Sequence, residues 1–175
     1  MYAKNKLKDK SGEERLLVTF FLFAYNQEEY IRDACKAALE QTYSPLEIIF
    51  SDDCSSDKTF ELIKEVVDGY DGPHRIVLNR NEENLGLIGH VNKSFEISSG
   101  DFMVIAAGDD ISLPGRVKNM VDVYQKNNQK PLVIHSSAFK INDSNQLMGT
   151  YFPPVIEQNM NILQIAESRG LYIGA

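Results

Sequence analysis

The feature that most constrains the fold is an alternation of short apolar runs with segments whose apolar residues recur at helical spacing. The first run, residues 16–23, is apolar at every position except Thr19, which is typical of a strand buried on both faces of a sheet. After it, Ile31, Ala34 and Ala38 fall on one side of a helix. Repetition of this unit predicts an α/β fold with an open, mostly parallel sheet flanked by helices.

Further strands and helices follow the same pattern. Strands are predicted at residues 46–50, 75–78, 102–106 and 132–141. Between them, helices are predicted whose inward faces carry Phe60, Ile63 and Val67, then Ile88, Val91 and Phe95, then Val117, Met120, Val121 and Tyr124.

These elements divide the chain into three regions. Residues 1–15 are expected to form a flexible tail, residues 16–141 the core, and residues 142–175 the start of a further region. That last region begins with a predicted turn at residues 142–145 and has one predicted helix at residues 161–168.

Charge and cysteine content exclude several classes of protein. The net charge of −7 argues against a nucleic-acid partner, because an acidic protein repels phosphate backbones. The lysines at alternate positions from Lys4 to Lys10 have two interpretations, a frayed tail or a contact with anionic lipid. Cys35 and Cys54 match no zinc or redox motif and suggest a reducing compartment. Because no apolar stretch is long enough to span a bilayer and the N-terminus does not resemble a signal peptide, we expect a cytoplasmic protein.

Two acidic pairs directly follow predicted strands. Asp52-Asp53 and Asp109-Asp110 would lie at the carboxyl edge of a parallel sheet, where ligands bind in such folds. A single aspartate in this position often only caps a helix or shapes a turn. Two pairs at one edge repel each other unless a cation neutralises them, and oxygen ligands of this kind suit Mg²⁺ or Mn²⁺. The chain has neither a P-loop nor the glycine-rich motif of dinucleotide-binding dehydrogenases.

Several short motifs between residues 16 and 124 together form an ordered pattern. They are Phe23-Ala24-Tyr25-Asn26, Gln41-Thr42-Tyr43, Glu47-Ile48-Ile49, the segment 52–59, Glu83-Asn84-Leu85-Gly86, Ser99-Gly100-Asp101-Phe102, Gly108-Asp109-Asp110, Leu113-Pro114 and Arg116. In this order they resemble family 2 glycosyltransferases, which have the GT-A fold, a Rossmann-like sheet that binds nucleotide sugars.

The resemblance implies a role for each matched residue. Asp53 would read the nucleobase, and Glu28 with the segment Phe23, Ala24 and Tyr25 would form the wall around base and ribose. Asn84 and Gly86 would belong to a loop beside the nucleotide. The metal-binding Asp-x-Asp signature falls on Ala107, Gly108 and Asp109, so Asp109 would hold a Mn²⁺ or Mg²⁺ ion that bridges the two phosphates.

Two departures from the family pattern bear on the chemistry. Ala107 replaces the first carboxylate of the signature, and Phe23-Ala24 replaces the usual Pro-Thr. The family's general base lies in the acceptor-binding half, and the only carboxylates beyond Asp143, Glu157 and Glu167, lack its Glu-Asp context. The catalytic base is therefore unknown. His74, His90 and His135 are not spaced as metal ligands, so structural or surface roles are expected for them.

The resemblance implies an inverting glycosyltransferase that moves a sugar from a nucleoside-diphosphate sugar to a hydroxyl of a saccharide or lipid-linked acceptor. Such a reaction belongs to cell-surface polysaccharide or glycan synthesis, at the inner face of a membrane if the protein is peripherally attached. Residues 142–175 would begin the acceptor side.

Two alternatives are open. Ala107 and the missing acceptor half favour a non-catalytic domain that binds nucleotide sugars or acts as a scaffold. A phosphoacceptor signalling domain fits poorly, because its acids should follow the first strand, where this chain has Phe23-Ala24-Tyr25-Asn26.

Overall fold

A computed structural model describes residues 6–8, 14–127, 133–142 and 146–151. The strands are β1 (Lys6–Lys8), β2 (Glu14–Leu16), β3 (Val18–Ala24), β4 (Leu46–Asp52), β5 (Arg75–Arg80), β6 (Phe102–Ala107), β7 (Ala138–Ile141) and β8 (Leu147–Tyr151). The helices are α1 (Ile31–Leu39), α2 (Thr59–Asp68), α3 (Gly86–Ile97) and α4 (Arg116–Lys126). None of the helices in these ranges is long and apolar enough to cross a membrane.

The centre of the fold is a four-stranded sheet in the order β5-β4-β3-β6, with all neighbours parallel. The predicted open parallel α/β sheet is thereby confirmed. The chain adds β4 and β5 on one side of β3 and then crosses back to place β6 on the other side. The order therefore reverses at β3, and ligands of open α/β sheets bind beyond the strand ends at such a point.

The two central strands form the core because they are apolar on both faces. Every residue of β4 is buried, and Phe20, Phe21 and Phe50 are among the largest fully buried side chains. Helices cover both faces of the sheet: the Phe102 ring contacts Tyr124 of α4, while the adjacent Met103 sulfur accepts a hydrogen bond from α3. Since successive strand residues point to opposite faces, α3 and α4 lie on opposite sides.

The predicted inward face of α3 is wrong. Ile88 and Phe95 are 70% and 65% exposed, and the buried residues of this helix are His90 and Ser94. The apolar spacing indicates a helix correctly. The side of α3 that faces the sheet is the one with His90, which hydrogen-bonds to Ser51 of β4.

The ends of the sheet also differ from expectation. The first central strand begins at Val18 rather than Leu16, because Leu16 ends β2, which pairs antiparallel with β1 inside the segment expected to be a flexible tail. The strand expected at residues 132–141 is found as Ala138–Ile141, in a separate antiparallel pair with β8. Asn142 and Gln146 hydrogen-bond to each other next to this pair, and residues 143–145 of the predicted turn lie outside the described residues.

The chain divides into two compact units, residues 1–129 and residues 130–175. The first contains the parallel sheet and its four helices, and the second contains the β7–β8 pair. The helix expected at residues 161–168 lies outside the described residues.

Candidate functional site

The loops after β3 and β4 lock together at the carboxyl edge of the sheet. The amide of Asp53 donates a hydrogen bond to the Ala24 carbonyl over 2.9 Å. The Asn26 amide donates to Ser55 Oγ over 2.9 Å. Asn26 and Cys54 have φ angles of 50° and 61°, a left-handed conformation that is uncommon outside glycine and concentrates at functional sites. The cross-loop hydrogen bonds hold both residues in this conformation.

The two residues of the first acidic pair, Asp52 and Asp53, have different surroundings and different roles. Asp52 is fully buried; its carboxylate accepts hydrogen bonds from the Ser55 amide over 3.0 Å and from the Ser55 hydroxyl, and it lies 3.4 Å from Nε of Arg80. Asp52 therefore shapes the turn, as the sequence suggests.

Asp53 is also buried, with 3% exposure, but only one of its oxygens has partners among the described residues. Oδ1 accepts hydrogen bonds from Asn81 Nδ2 over 2.7 Å and from the Leu85 amide over 3.0 Å. The Leu85 contact belongs to a tight turn in which the Gly86 amide, at φ 67°, donates to Asn84 Oδ1 over 2.8 Å. The structure thus brings the predicted Asn84–Gly86 loop onto Asp53.

Tyr25, Glu28 and Phe23 occupy different positions at this edge. The Tyr25 side chain is 47% exposed just beyond β3, where its ring is accessible. Glu28 joins the two loops, since its carboxylate accepts from the Lys58 amide and its own amide donates to Asp57, both over 3.1 Å. The Phe23 ring packs edge-on against His90 at 4.8 Å, so only its backbone faces the edge.

The end of β6 packs closely against the β3 loop because residue 108 is glycine. A Cβ at Gly108 would lie 2.4 Å from Gln27 Oε1 and 3.1 Å from the Phe23 carbonyl oxygen. Asp109 and Asp110 follow and are exposed. Partial desolvation of its carboxyl and the charge of Asp109 raise the pKa of Asp110, whereas Arg116 opposes this shift.

A brace that the sequence analysis missed holds the loop after this pair. The Gln41 side chain is buried at the end of α1; it donates to the Leu113 carbonyl over 2.9 Å and accepts from the Val117 amide over 3.1 Å. Arg116 donates to the Ile105 carbonyl over 2.8 Å and to the Ser112 hydroxyl over 2.9 Å. Gln41 thus has a structural role. The sequence did not predict it, because no spacing rule links Gln41 to partners more than 70 residues away.

The histidines are not placed as metal ligands. His90 is buried, with Nε2 2.6 Å from Ser51 Oγ, and burial lowers its pKa despite the opposing charges of Asp53 and Asp52. His74 Nε2 lies 2.9 Å from the Gln41 carbonyl oxygen, and His135 is exposed.

The carboxylates suit only one kind of metal site. Within the described ranges, no cluster of three or more His, Cys, Asp or Glu side chains is arranged to hold a metal by itself. Mg²⁺ and similar ions commonly use one or two carboxylates together with substrate phosphates. The exposed pair Asp109-Asp110 fits that mode, in which the ligand supplies the remaining oxygens.

Similar solved structures share the fold. The chain superimposes on Staphylococcus aureus TarS 1-349 in complex with UDP with a TM-score of 0.55 and 20% identity, over 63% of this chain and 32% of TarS 1-349. It superimposes on the mannosyltransferase PcManGT from Pyrobaculum calidifontis, in complex with GDP-Man and Mn²⁺, with a TM-score of 0.59 and 21% identity, over 70% of this chain and 36% of PcManGT. At this identity the likeness shows the GT-A fold alone.

Sequence comparison extends the match to curated relatives and a family. An uncharacterized glycosyltransferase of Haemophilus influenzae is 31% identical over 149 residues, covering 84% of this chain. The Escherichia coli UDP-Glc:alpha-D-GlcNAc-diphosphoundecaprenol beta-1,3-glucosyltransferase WfgD is 29% identical over 138 residues, covering 79%. The chain spans only 40% and 51% of the length of these two relatives. The family model for glycosyl transferase family 2 matches residues 19–164. This chain therefore belongs to glycosyltransferase family 2.

Proposed function

We propose that this chain binds a nucleoside-diphosphate sugar at the carboxyl edge of the sheet and forms the donor-binding part of an inverting glycosyltransferase. The observation that carries this proposal is Asp53, a buried carboxylate fixed just past β4 and hydrogen-bonded through its amide to the end of β3, where strand order reverses, beside the exposed Tyr25 ring. A buried carboxylate with an oxygen directed to a ligand is suited to accept a hydrogen bond from a base N–H. The resemblance to structures with UDP and GDP-Man agrees with this assignment.

Each remaining site residue then has a role. Tyr25, Glu28 and the backbone of Phe23 and Ala24 form the wall around base and ribose, and the Asn84–Gly86 turn closes the other side. Gly108 allows β6 to approach, so that Asp109 lies near the diphosphate and holds Mn²⁺ or Mg²⁺ together with it. The ion, when bound, offsets the negative charge of the leaving diphosphate.

The relatives support a membrane-associated acceptor. The name of the E. coli relative specifies a diphosphoundecaprenol-linked sugar as its acceptor. We therefore infer a saccharide or lipid-linked acceptor hydroxyl for this chain, reached from the cytoplasmic face of a membrane. Ala107, at the position of the first carboxylate of the signature, supports the second candidate, a domain that binds the donor without transferring it.

Calorimetry on the full 175-residue chain tests the donor site. UDP, dTDP and GDP are titrated with and without Mn²⁺, and the ion is expected to strengthen binding by about tenfold or more, or at least about 1.4 kcal/mol. Asp109→Asn should remove this gain. Asp101→Asn, an exposed aspartate that precedes β6 at the opposite edge, should keep it.

Two results test the donor-binding proposal and its non-catalytic alternative. Absence of binding to all three nucleotides, with and without Mn²⁺, would overturn the proposal. Release of UDP from a UDP-sugar by this chain would exclude the non-catalytic candidate.

A further inference from the structure

A continuous chain of polar side chains leads from α3 to Asp53. Asn81 Nδ2 donates to Asp53 Oδ1 over 2.7 Å, and Asn79 Nδ2 donates to Asn81 Oδ1 over 2.9 Å. Asn79 Nδ2 also donates to Ser51 Oγ over 2.9 Å, and that hydroxyl lies 2.6 Å from His90 Nε2. We call Ser51, Asn79, Asn81 and His90 the polar chain.

The donors and acceptors between Asn79 and Asp53 have one consistent direction. The amide nitrogen of Asn79 donates to both neighbours, so its side-chain orientation is defined from two sides. Ser51 Oγ accepts from Asn79 and also hydrogen-bonds His90 Nε2, with the direction of that second bond set by the His90 tautomer. Burial lowers the pKa of His90, which favours a neutral ring. Because Asn81 Oδ1 accepts from Asn79, the Asn81 amide nitrogen points its N–H at Asp53.

The polar chain determines how many acceptor positions Asp53 offers. A carboxylate oxygen has two lone pairs, and both lone pairs of Oδ1 are used, one by Asn81 and one by the Leu85 amide. Oδ2 is left as the oxygen that can accept from a ligand, because the described part of the chain directs no donor to it. Asp53 thus presents one acceptor oxygen rather than the two parallel oxygens of an open carboxylate.

The bases of common sugar nucleotides differ in the donors that they present to such a carboxylate. Uracil and thymine carry a single imide N–H between two carbonyl groups. Guanine carries two adjacent donors, N1–H and N2–H, which match a carboxylate whose two oxygens are both open. A guanine facing Asp53 would place its second donor against an oxygen that is already saturated.

We propose that Asn81, held by Asn79, Ser51 and His90, is a positioning residue that occupies one oxygen of Asp53 and so selects a uracil or thymine nucleotide over a guanine nucleotide. The inference rests on the proposed function, in which Asp53 faces the base. It narrows the donor to a UDP-sugar or a dTDP-sugar.

The test is the ratio of UDP to GDP affinity, measured by calorimetry on the full chain in Mn²⁺. One unmade hydrogen bond corresponds to about tenfold in affinity, so UDP should bind roughly tenfold more tightly than GDP. Asn81→Ala opens Oδ1 and should bring the ratio to within about threefold. Asn79→Ala leaves Asn81 in place without its support, and an intermediate ratio is expected. This second variant tests the inference even if Asn81→Ala does not fold.

A matched control distinguishes an effect on nucleotide selection from a general loss of protein stability. Thr19→Val removes a buried hydrogen bond to another buried carboxylate of the same sheet, Glu47, at the opposite edge. It should lower stability and leave the UDP to GDP ratio unchanged. Equal affinity of the wild-type chain for UDP and GDP would overturn the inference but not the proposed function. An unchanged ratio in both asparagine variants would do the same, whereas failure to bind any nucleotide would overturn both.

Discussion

The two ends of strand β4 each carry a buried carboxylate, and the two differ in how completely their oxygens are used. Glu47, at the amino end, accepts from the Thr19 hydroxyl and the Ser99 amide, each over 2.9 Å, and lies 2.7 Å from Nη1 of Arg75. Both hydrogen bonds therefore end on Oε1, and the buried Oε2 accepts no hydrogen bond but is paired with the charge of Arg75. Asp53, just past the carboxyl end, has internal partners on Oδ1 alone within the described residues. A buried carboxylate with all partners internal serves the fold, and one with an oxygen to spare suits a ligand.

Replacing Glu47 should have the largest effect and should affect stability alone. Glu47→Ala leaves the buried Thr19 hydroxyl without its acceptor and also removes the acceptor of the Ser99 amide, and losses of this kind cost about 3 kcal/mol. Urea unfolding measures the loss, and nucleotide affinity of the folded variant should stay at the wild-type value. Arg75→Ala is the comparison: it leaves the two hydrogen bonds of Glu47 in place, and water can reach the site of its 65% exposed side chain, so the loss should be smaller than in Glu47→Ala. Equal losses in both variants would contradict this account.

Asp53→Asn should lower nucleotide affinity more than stability, the opposite of Glu47→Ala. The variant loses the charge of its acceptor oxygen, so nucleotide affinity should fall by roughly tenfold or more, since hydrogen bonds to charged groups contribute about 1.5–3 kcal/mol. Calorimetry measures the affinity, and urea unfolding should show a smaller stability loss than Glu47→Ala. If Asp53→Asn unfolds as easily as Glu47→Ala while binding nucleotide normally, the two ends of β4 do not differ in function.

The smallest effect expected is on the pH dependence of stability, through His90. Burial lowers the pKa of His90, so the unfolded chain takes up a proton near pH 6.5 more readily than the folded chain. The stability that the neutral ring provides is present above pH 6.5 and is lost as the pH falls toward the lower folded pKa.

Unfolding free energies between pH 8 and pH 5.5 should therefore decline more in the wild-type chain than in His90→Gln. His74 supplies the control, because burial lowers its pKa as well. His74→Gln should keep the part of the pH dependence that is due to His90. Identical pH profiles for wild type and His90→Gln would show that His90 does not couple to folding.

The sequence predicts the parallel sheet well because its signal is local. Each central strand is a short apolar run, and the aspartates that end β4 and follow β6 mark the carboxyl edge in the sequence itself. The inward face of α3 is not predicted, because apolar spacing reports a helix stripe but not the polar partner, Ser51, that His90 meets on the sheet. Asn79 and Asn81 had one local signal, since an uninterrupted polar run, residues 79–84, begins at the end of strand β5. Their contacts with Ser51 and Asp53 depend on packing between distant segments.

The Gln41 brace has a consequence for the order in which the protein assembles. Its amide bonds to the Leu113 carbonyl, 72 residues further along the chain, and closing a long loop costs entropy that only the finished contact offsets. On a ribosome, β3 and β4 emerge and can pair long before residue 113 exists. The acidic loop after β6 therefore gains its support last, and in thermal fluctuations we expect it to be among the first parts to open. The loop that carries Asp109 and Asp110 would then be the part of the site that is supported latest and opens most easily.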